Sequence, residues 1–162
     1  MVTNLTNTAI GITDDHRQSV ANVLMILLSD EFVLYTKTLN AHWNIEGIDF
    51  NDKHKLFEMQ FDQIRDFIDR IAERIRSIGH YVDGTLASFL NLTHFIEKSN
   101  LKNEGRFFLK ELLSDHESII IHLRENIEKF AKEYRDLGTS DFITGLMEEH
   151  EKIAWYIRSH LK

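Results

Sequence analysis

"NDKHKLFEMQFDQIRDFIDRIAERIRSIG", from Asn51 to Gly79, is the stretch on which the fold turns. Phe57, Phe61, Ile64, Ile68, Ile71, Ile75 and Ile78 recur at steps of four and three. That period lines them up as one stripe along an α-helix, the kind of face that packs into a bundle. Asn51 or Asp52 suits the opening of this helix and Gly79 suits its close. A second set of residues flanks the stripe. On the helical wheel His54, Glu58, Asp69 and Glu73 share one side, within roughly 100°, with Asp62 and Arg65 between them.

Working outward, the same periodicity returns twice. Leu112, Ile119, Leu123, Phe130 and Tyr134 mark a third long helix over about Glu104 to Leu137, with Gly138 after it. Ile143, Met147, Ile153 and Ile157 mark a fourth, beginning after Thr139 or Ser140 and reaching Leu161. The first helix runs from about Asp14 to Asn40, with Thr13 or Asp14 as its cap. Its segment "VANVLMILL" is apolar on most sides, which fits a central helix or one buried against another subunit. "DGTLASFLNLTHFIEKSN" holds one short helix between the second and third long ones. Four amphipathic helices in one chain of this length predict an all-α four-helix bundle, a single domain over 1–162 with a short N-terminal extension over 1–13.

Composition bounds the partners. Among 162 residues, 43% are apolar and 28% charged, and 11 are Phe, enough to build a core. The apolar runs are short, so no membrane-spanning segment is expected. The first residues lack a basic region followed by an apolar block, so no signal peptide is expected either. There is no cysteine, which excludes disulfides and thiolate metal sites and fits the cytoplasm. There is no proline, so nothing of that kind breaks the helices. The formal net charge is −7, which favours cations over nucleic acid or anionic lipid as guests.

The flanking set on the second helix is chemically specific. Imidazole and carboxylate donors suit iron, zinc or manganese. His54 and Asp69, however, lie about 22 Å apart along the axis, whereas two metals sharing ligands sit only about 4 Å apart. One chain cannot close such a site. Two antiparallel copies of the helix can, with His54 and Glu58 of one facing Asp69 and Glu73 of the other, and the twofold axis then makes two identical sites. His42, at the end of the first helix, is brought beside His54 if the chain turns at Gly47. The plainer reading, a solvated acidic helix face, leaves both histidines and Trp43 without a reason. Bundles that hold two irons within one chain use Glu-x-x-His on two helices, and neither that motif nor Asp-x-x-His occurs here.

These residues carry a resemblance. His42-Trp43-Asn44, His54 twelve positions after His42, and then Glu58, Asp69 and Glu73 at four, fifteen and nineteen past His54 resemble the pattern of the Dps family, the mini-ferritins of the ferritin-like superfamily. "DLGTSDF" before the last helix extends the likeness over most of the chain. Glu58 departs from it, since many members have Asp there. The resemblance implies a ferritin-like four-helix bundle with a short extra helix, assembled into a hollow homo-dodecamer. It implies twelve intersubunit di-iron ferroxidase sites that oxidise Fe²⁺ with hydrogen peroxide, or oxygen, and a ferric mineral stored inside. Carried onto this chain, His42, His54 and Glu58 would be ligands from one subunit and Asp69 and Glu73 from its twofold mate. Zn or Mn would be able to substitute. Trp43 would take up stray oxidising equivalents beside the metals. Asp141, and after it Asp136, match acidic residues that line threefold pores in the family, with Glu148 and Glu149 continuing inward. The bland alternative for Asp141 is that it favours the positive end of the last helix.

Other histidines are read more plainly. His116 and His150 fall on apolar stripes and are expected as core residues; His16, His80, His94, His122 and His160 lack a carboxylate at ligand spacing and are expected at surfaces or turns. DNA binding is the alternative function the family suggests. Residues 1–16 contain no Lys or Arg, and phosphate contacts dominate DNA affinity, so coating of DNA is not expected. A third alternative is a cage whose metal site holds zinc and does no redox work.

Overall fold

The computed structural model describes residues 8–97 and 103–162. Of the expected extension over 1–13, residues 1–7 lie outside the described part. Five α-helices follow one another: α1 (Asp14–Asn44), α2 (Phe50–Ser77), the short α3 (Leu86–Leu92), α4 (Gly105–Glu128) and α5 (Leu137–His160). A π-helical turn, Lys129–Glu133, extends α4. The one β-type pairing among the described residues is an isolated bridge between Glu46 and Glu104. α1 packs mainly on α2 and α4 on α5, and α3 lies against α1.

Local chemistry sets the ends. Thr13 caps α1, its hydroxyl accepting the His16 N–H, and Asp14 and Asp15 sit in the first, electropositive turn. α2 closes as a Schellman motif: the His80 N–H bonds the Ile75 carbonyl at 3.2 Å and the Gly79 N–H bonds that of Arg76 at 3.0 Å. Gly79 takes a φ of +94° there, and any Cβ would strike Thr8 and the Arg17 guanidinium. That guanidinium is buried and donates to the Ile78 carbonyl at 2.9 Å. The end of α2 and the start of α1 are thereby tied together.

The core is continuous through all helices. Val20, Leu24 and Leu28 of α1, Phe57, Ile64, Phe67, Ile71 and Ile75 of α2, Leu109, Leu112 and Ile119 of α4, and Ile143, Ile153 and Ile157 of α5 all join it. Phe67 lies at its centre, whereas Phe61 and Ile68 are only partly buried. By length and composition α1 would suffice to cross a membrane, contrary to the expectation from its short runs, but 61% of its most apolar window is buried inside the bundle.

The junction before α5 differs from expectation. α5 begins at Leu137, and Gly138 lies inside its first turn rather than beyond the preceding helix. The reversal is made by the π turn, by Arg135 at a φ of +55°, and by Asp136. Asp136 is buried, caps α5 by accepting the Thr139 N–H at 2.9 Å, and accepts from Arg74 of α2 at 3.1 Å.

Candidate metal centre

The glycine turn does bring His42 to His54. Ile45 caps α1, Gly47 adopts a φ of +123°, and the Phe50 N–H bonds the Gly47 carbonyl at 3.1 Å. The two imidazoles stack at a centroid distance of 3.7 Å and 20° between planes. Their hydrogen bonds cross: His42 Nδ1 lies 2.9 Å from the His54 carbonyl, and His54 Nδ1 lies 2.9 Å from the His42 carbonyl. A carbonyl only accepts, so each Nδ1 must carry the proton and donate. In each neutral ring this leaves Nε2 as a bare lone pair, the form that ligates a metal, with the second ring nitrogen fixing tautomer and orientation. Phe50 stacks on His54 at 5.0 Å and Phe61 meets the edge of His42 at 5.2 Å, which hold the pair in place from both sides.

The carboxylates extend along the exposed face of α2. Glu58 lies one turn beyond His54, and Asp69 and Glu73 lie toward the other end; all three are exposed. Their neighbours on the same face are paired, Asp62 with Arg65 and Asp66 with Arg70, each at 3.1 Å. Within one chain Asp69 and Glu73 remain a helix length from the histidines, about 22 Å at 1.5 Å per residue. The histidines thus stand at one end of α2 and Asp69 and Glu73 toward the other.

The remaining expected residues fall as follows. Trp43 is 68% exposed and lines a groove between α1 and α4 with Asn40, Asn44 and Phe108. Asp141 is exposed on α5, just past its first turn. Asp136 is buried in its cap and ion pair with Arg74, so it has no free face to offer a pore. Glu149 is held by Arg70 at 3.0 Å and Gln63 at 3.4 Å, while Glu148 is exposed.

The other histidines divide largely as expected. His116 and His150 are fully buried, and so is His80, although it sits at a turn. His150 Nε2 meets Glu31 Oε1 at 2.8 Å, and its Nδ1 lies 2.9 Å from His116 Nδ1. Burial, and then the proximity of His150, push the His116 imidazole well below the usual histidine range, so it stays neutral. Asp30 is the carboxylate partner that spacing did not reveal for His94: its Oδ2 lies 3.0 Å from His94 Nδ1. Asp30, His94 and His122 owe their grouping to tertiary packing, as Glu31 does its pairing with His150, and no local spacing announces either.

The family model for the ferritin-like domain matches residues 21–162. A low temperature-induced protein of Nostoc sp. is 40% identical over 153 residues, 94% of this chain and 86% of that protein. DNA protection during starvation protein 2 of Bacillus anthracis is 31% identical over 144 residues, 89% of this chain and 97% of the relative. The crystal structure of the Dps protein of Vibrio cholerae O1, described as a member of a broad superfamily of ferritin-like diiron-carboxylate proteins, superposes with a TM-score of 0.90 at 28% identity, covering 99% of each chain. Dps of Mycobacterium smegmatis gives 0.90 at 27% identity, covering 97% of this chain and 94% of the other.

Proposed function

The chain belongs to the Dps family, the mini-ferritins of the ferritin-like superfamily, and from that premise we propose that it is a ferroxidase that oxidises Fe²⁺ with hydrogen peroxide at sites shared between two subunits and stores the ferric product inside a homo-dodecameric cage. The observation that carries the proposal is the crossed His42–His54 pair, with both Nε2 lone pairs free, at one end of α2, whose Asp69 and Glu73 it cannot reach. A twofold mate, running antiparallel, supplies them. Exposed Met59 on α2 and Leu86 and Leu90 on α3 fit burial against such a mate.

Iron enters this site as substrate. His42, His54 and Glu58 hold it from one side and Asp69 and Glu73 from the other. Neutral imidazoles bind ferrous iron without adding charge, and the carboxylates favour the harder, more highly charged ferric product. Two Fe²⁺ give up one electron each to one H₂O₂, which takes up two protons and leaves as two waters, so both Fenton reactants disappear together. Trp43, adjacent to His42 in the chain, is the residue for stray oxidising equivalents. Asp141 is the candidate for cation entry, since Asp136 is already engaged. The absence of cysteine fits a reducing cytoplasm.

The test is complementation between dead halves. His54→Ala and Asp69→Ala chains are each assembled alone, then unfolded, mixed and reassembled. Alone, each oxidises iron near the uncatalysed rate. In a mixed dimer one site carries both defects and the other none, so random mixing restores about a quarter of the sites. No recovery in a correctly assembled mixture sinks the shared site. Zinc binding without peroxide-dependent iron turnover in the unsubstituted protein would favour a cage with no redox role. A DNA gel shift at low salt and pH 7.5 is expected to show no retardation, given a net charge of −7 per chain.

A further inference from the structure

A second cluster of metal-type donors lies away from α2. Asp30 of α1, His94 in the segment after α3, and His122 of α4 each offer one ligand atom, all within 4.8 Å of one another. The His94 and His122 rings stand 4.5 Å apart at 60°. Asp30 is almost wholly buried, with a side-chain exposure of 2%. Its Oδ1 accepts from Thr93 Oγ1 and from the His94 N–H, both at 2.7 Å, which fix the carboxylate in place. Both of those donors are neutral, and Lys37, the nearby cation, is bound to Asp115. A buried carboxylate in that setting has a strong preference for a positive partner.

The surroundings strengthen that preference. A cavity of about 250 Å³ opens beside the cluster, walled by Val23, Leu27, Leu123, Phe130 and Ile143. Apolar walls lower the local dielectric and strengthen any cation–carboxylate attraction, and the space accommodates a water as fourth donor. In a tetrahedral site with bonds near 2.1 Å, ligand atoms stand about 3.4 Å apart. The 3.0 Å between Asp30 Oδ2 and His94 Nδ1 is already in that range. Rotation of the partly exposed His122 closes the third side.

We propose that Asp30, His94 and His122 form a separate site for one divalent transition ion of the zinc class, which pins the segment after α3 to α1 and α4. Two imidazole nitrogens and one carboxylate select that class over calcium and magnesium, which prefer oxygen ligands. Three protein ligands leave one position open. The ion displaces the proton between His94 Nδ1 and Asp30 Oδ2, and Thr93 and the His94 N–H become the outer contacts that orient the carboxylate. The site shares no residue with the His42–Glu73 set.

Cobalt(II) reads this directly, because tetrahedral cobalt absorbs visible light strongly and octahedral cobalt on surface groups does so only faintly. The assembled protein carrying His54→Ala, Asp69→Ala and Glu73→Ala removes the α2 sites from the titration. Expected is one equivalent of intensely absorbing cobalt per chain, bleached by zinc. Adding His122→Ala or His94→Ala, both at partly exposed positions where circular dichroism confirms the fold, is expected to weaken binding by roughly a hundredfold and abolish the intense band. A titration that yields only the faint octahedral spectrum overturns the site. So does an intense band that survives both histidine substitutions.

Discussion

His42 with His54, and His116 with His150, are two pairs of neighbouring imidazoles on helices of one bundle, held in opposite ways. In the first pair each Nδ1 donates to the other residue's carbonyl, and both Nε2 atoms are left over. In the second pair the Nδ1 atoms face each other at 2.9 Å, and Glu31 accepts from His150 Nε2. With a neutral His150 ring, His116 Nδ1 is then the donor, and its bare Nε2 has no hydrogen-bond partner among the described residues. The hydrogen-bond chain from Glu31 ends in the apolar core, 5.0 Å below the Phe67 ring at its His150 step. Helical periodicity puts both kinds of histidine near apolar stripes. What separates the proposed ligands from the core histidines here is which nitrogen is spent on protein, and whether the pair is partly exposed or fully buried.

The comparison breaks most sharply at Glu31. Glu31→Ala leaves His150 Nε2–H buried without an acceptor and opens a cavity between α1 and α5. A loss of roughly 3–5 kcal/mol is expected, read as the urea midpoint of the assembled protein at fixed chain concentration. Iron oxidation by the protein that remains folded is expected to be unchanged. A cost under about 1 kcal/mol would mean that the interior pair does not depend on its carboxylate.

The outer pair predicts the reverse profile. Asp69→Ala/Glu73→Ala removes exposed side chains, so the urea midpoint is expected to move by no more than about 0.5 kcal/mol. Peroxide-dependent iron oxidation is expected to fall roughly a hundredfold, the upper end of what losing even an outer-shell partner costs a metal site. A variant that is destabilised but catalytically intact would mean these carboxylates serve an interface and do not bind iron.

How far the sequence reaches follows from the same contrast. The α2 stripe and the His54–Glu73 face were legible because their information is local: every member lies on one helix, and the period alone aligns them. The separation of its two ends was legible too, because helix rise is fixed. The start of α5 was not. Gly138 marked a boundary by composition, but the chain reverses at Arg135, a non-glycine residue at positive φ that carries no such signal. Asp136 looked like a free acid near a helix start, and only the arrival of Arg74 from α2 shows that it is occupied. His94 is exposed, as expected, but its carboxylate partner Asp30 could not be read because it lies 64 residues away. His80 was expected at a surface or a turn; it follows the turn that closes α2, and its full burial carries no local signal.

The interior pair also predicts an acid sensitivity of its own. Burial holds the His116 pKa well below the ordinary value of 6.5. Between that depressed value and 6.5 the unfolded chain binds the proton and the folded chain does not, so stability rises with pH across this window and is lost as pH falls below about 6.5. One such group contributes a slope of at most about 1.4 kcal/mol per pH unit. The thermal midpoint is therefore expected to fall between pH 7 and pH 5. In His116→Leu the dependence is expected to flatten by that one proton's share, whatever the substitution does to stability at pH 7. The slope is the informative quantity, because packing loss shifts the curve without tilting it. An unchanged slope in His116→Leu would show that the proton is taken up elsewhere, and Asp30→Asn would then test the other buried carboxylate–histidine contact.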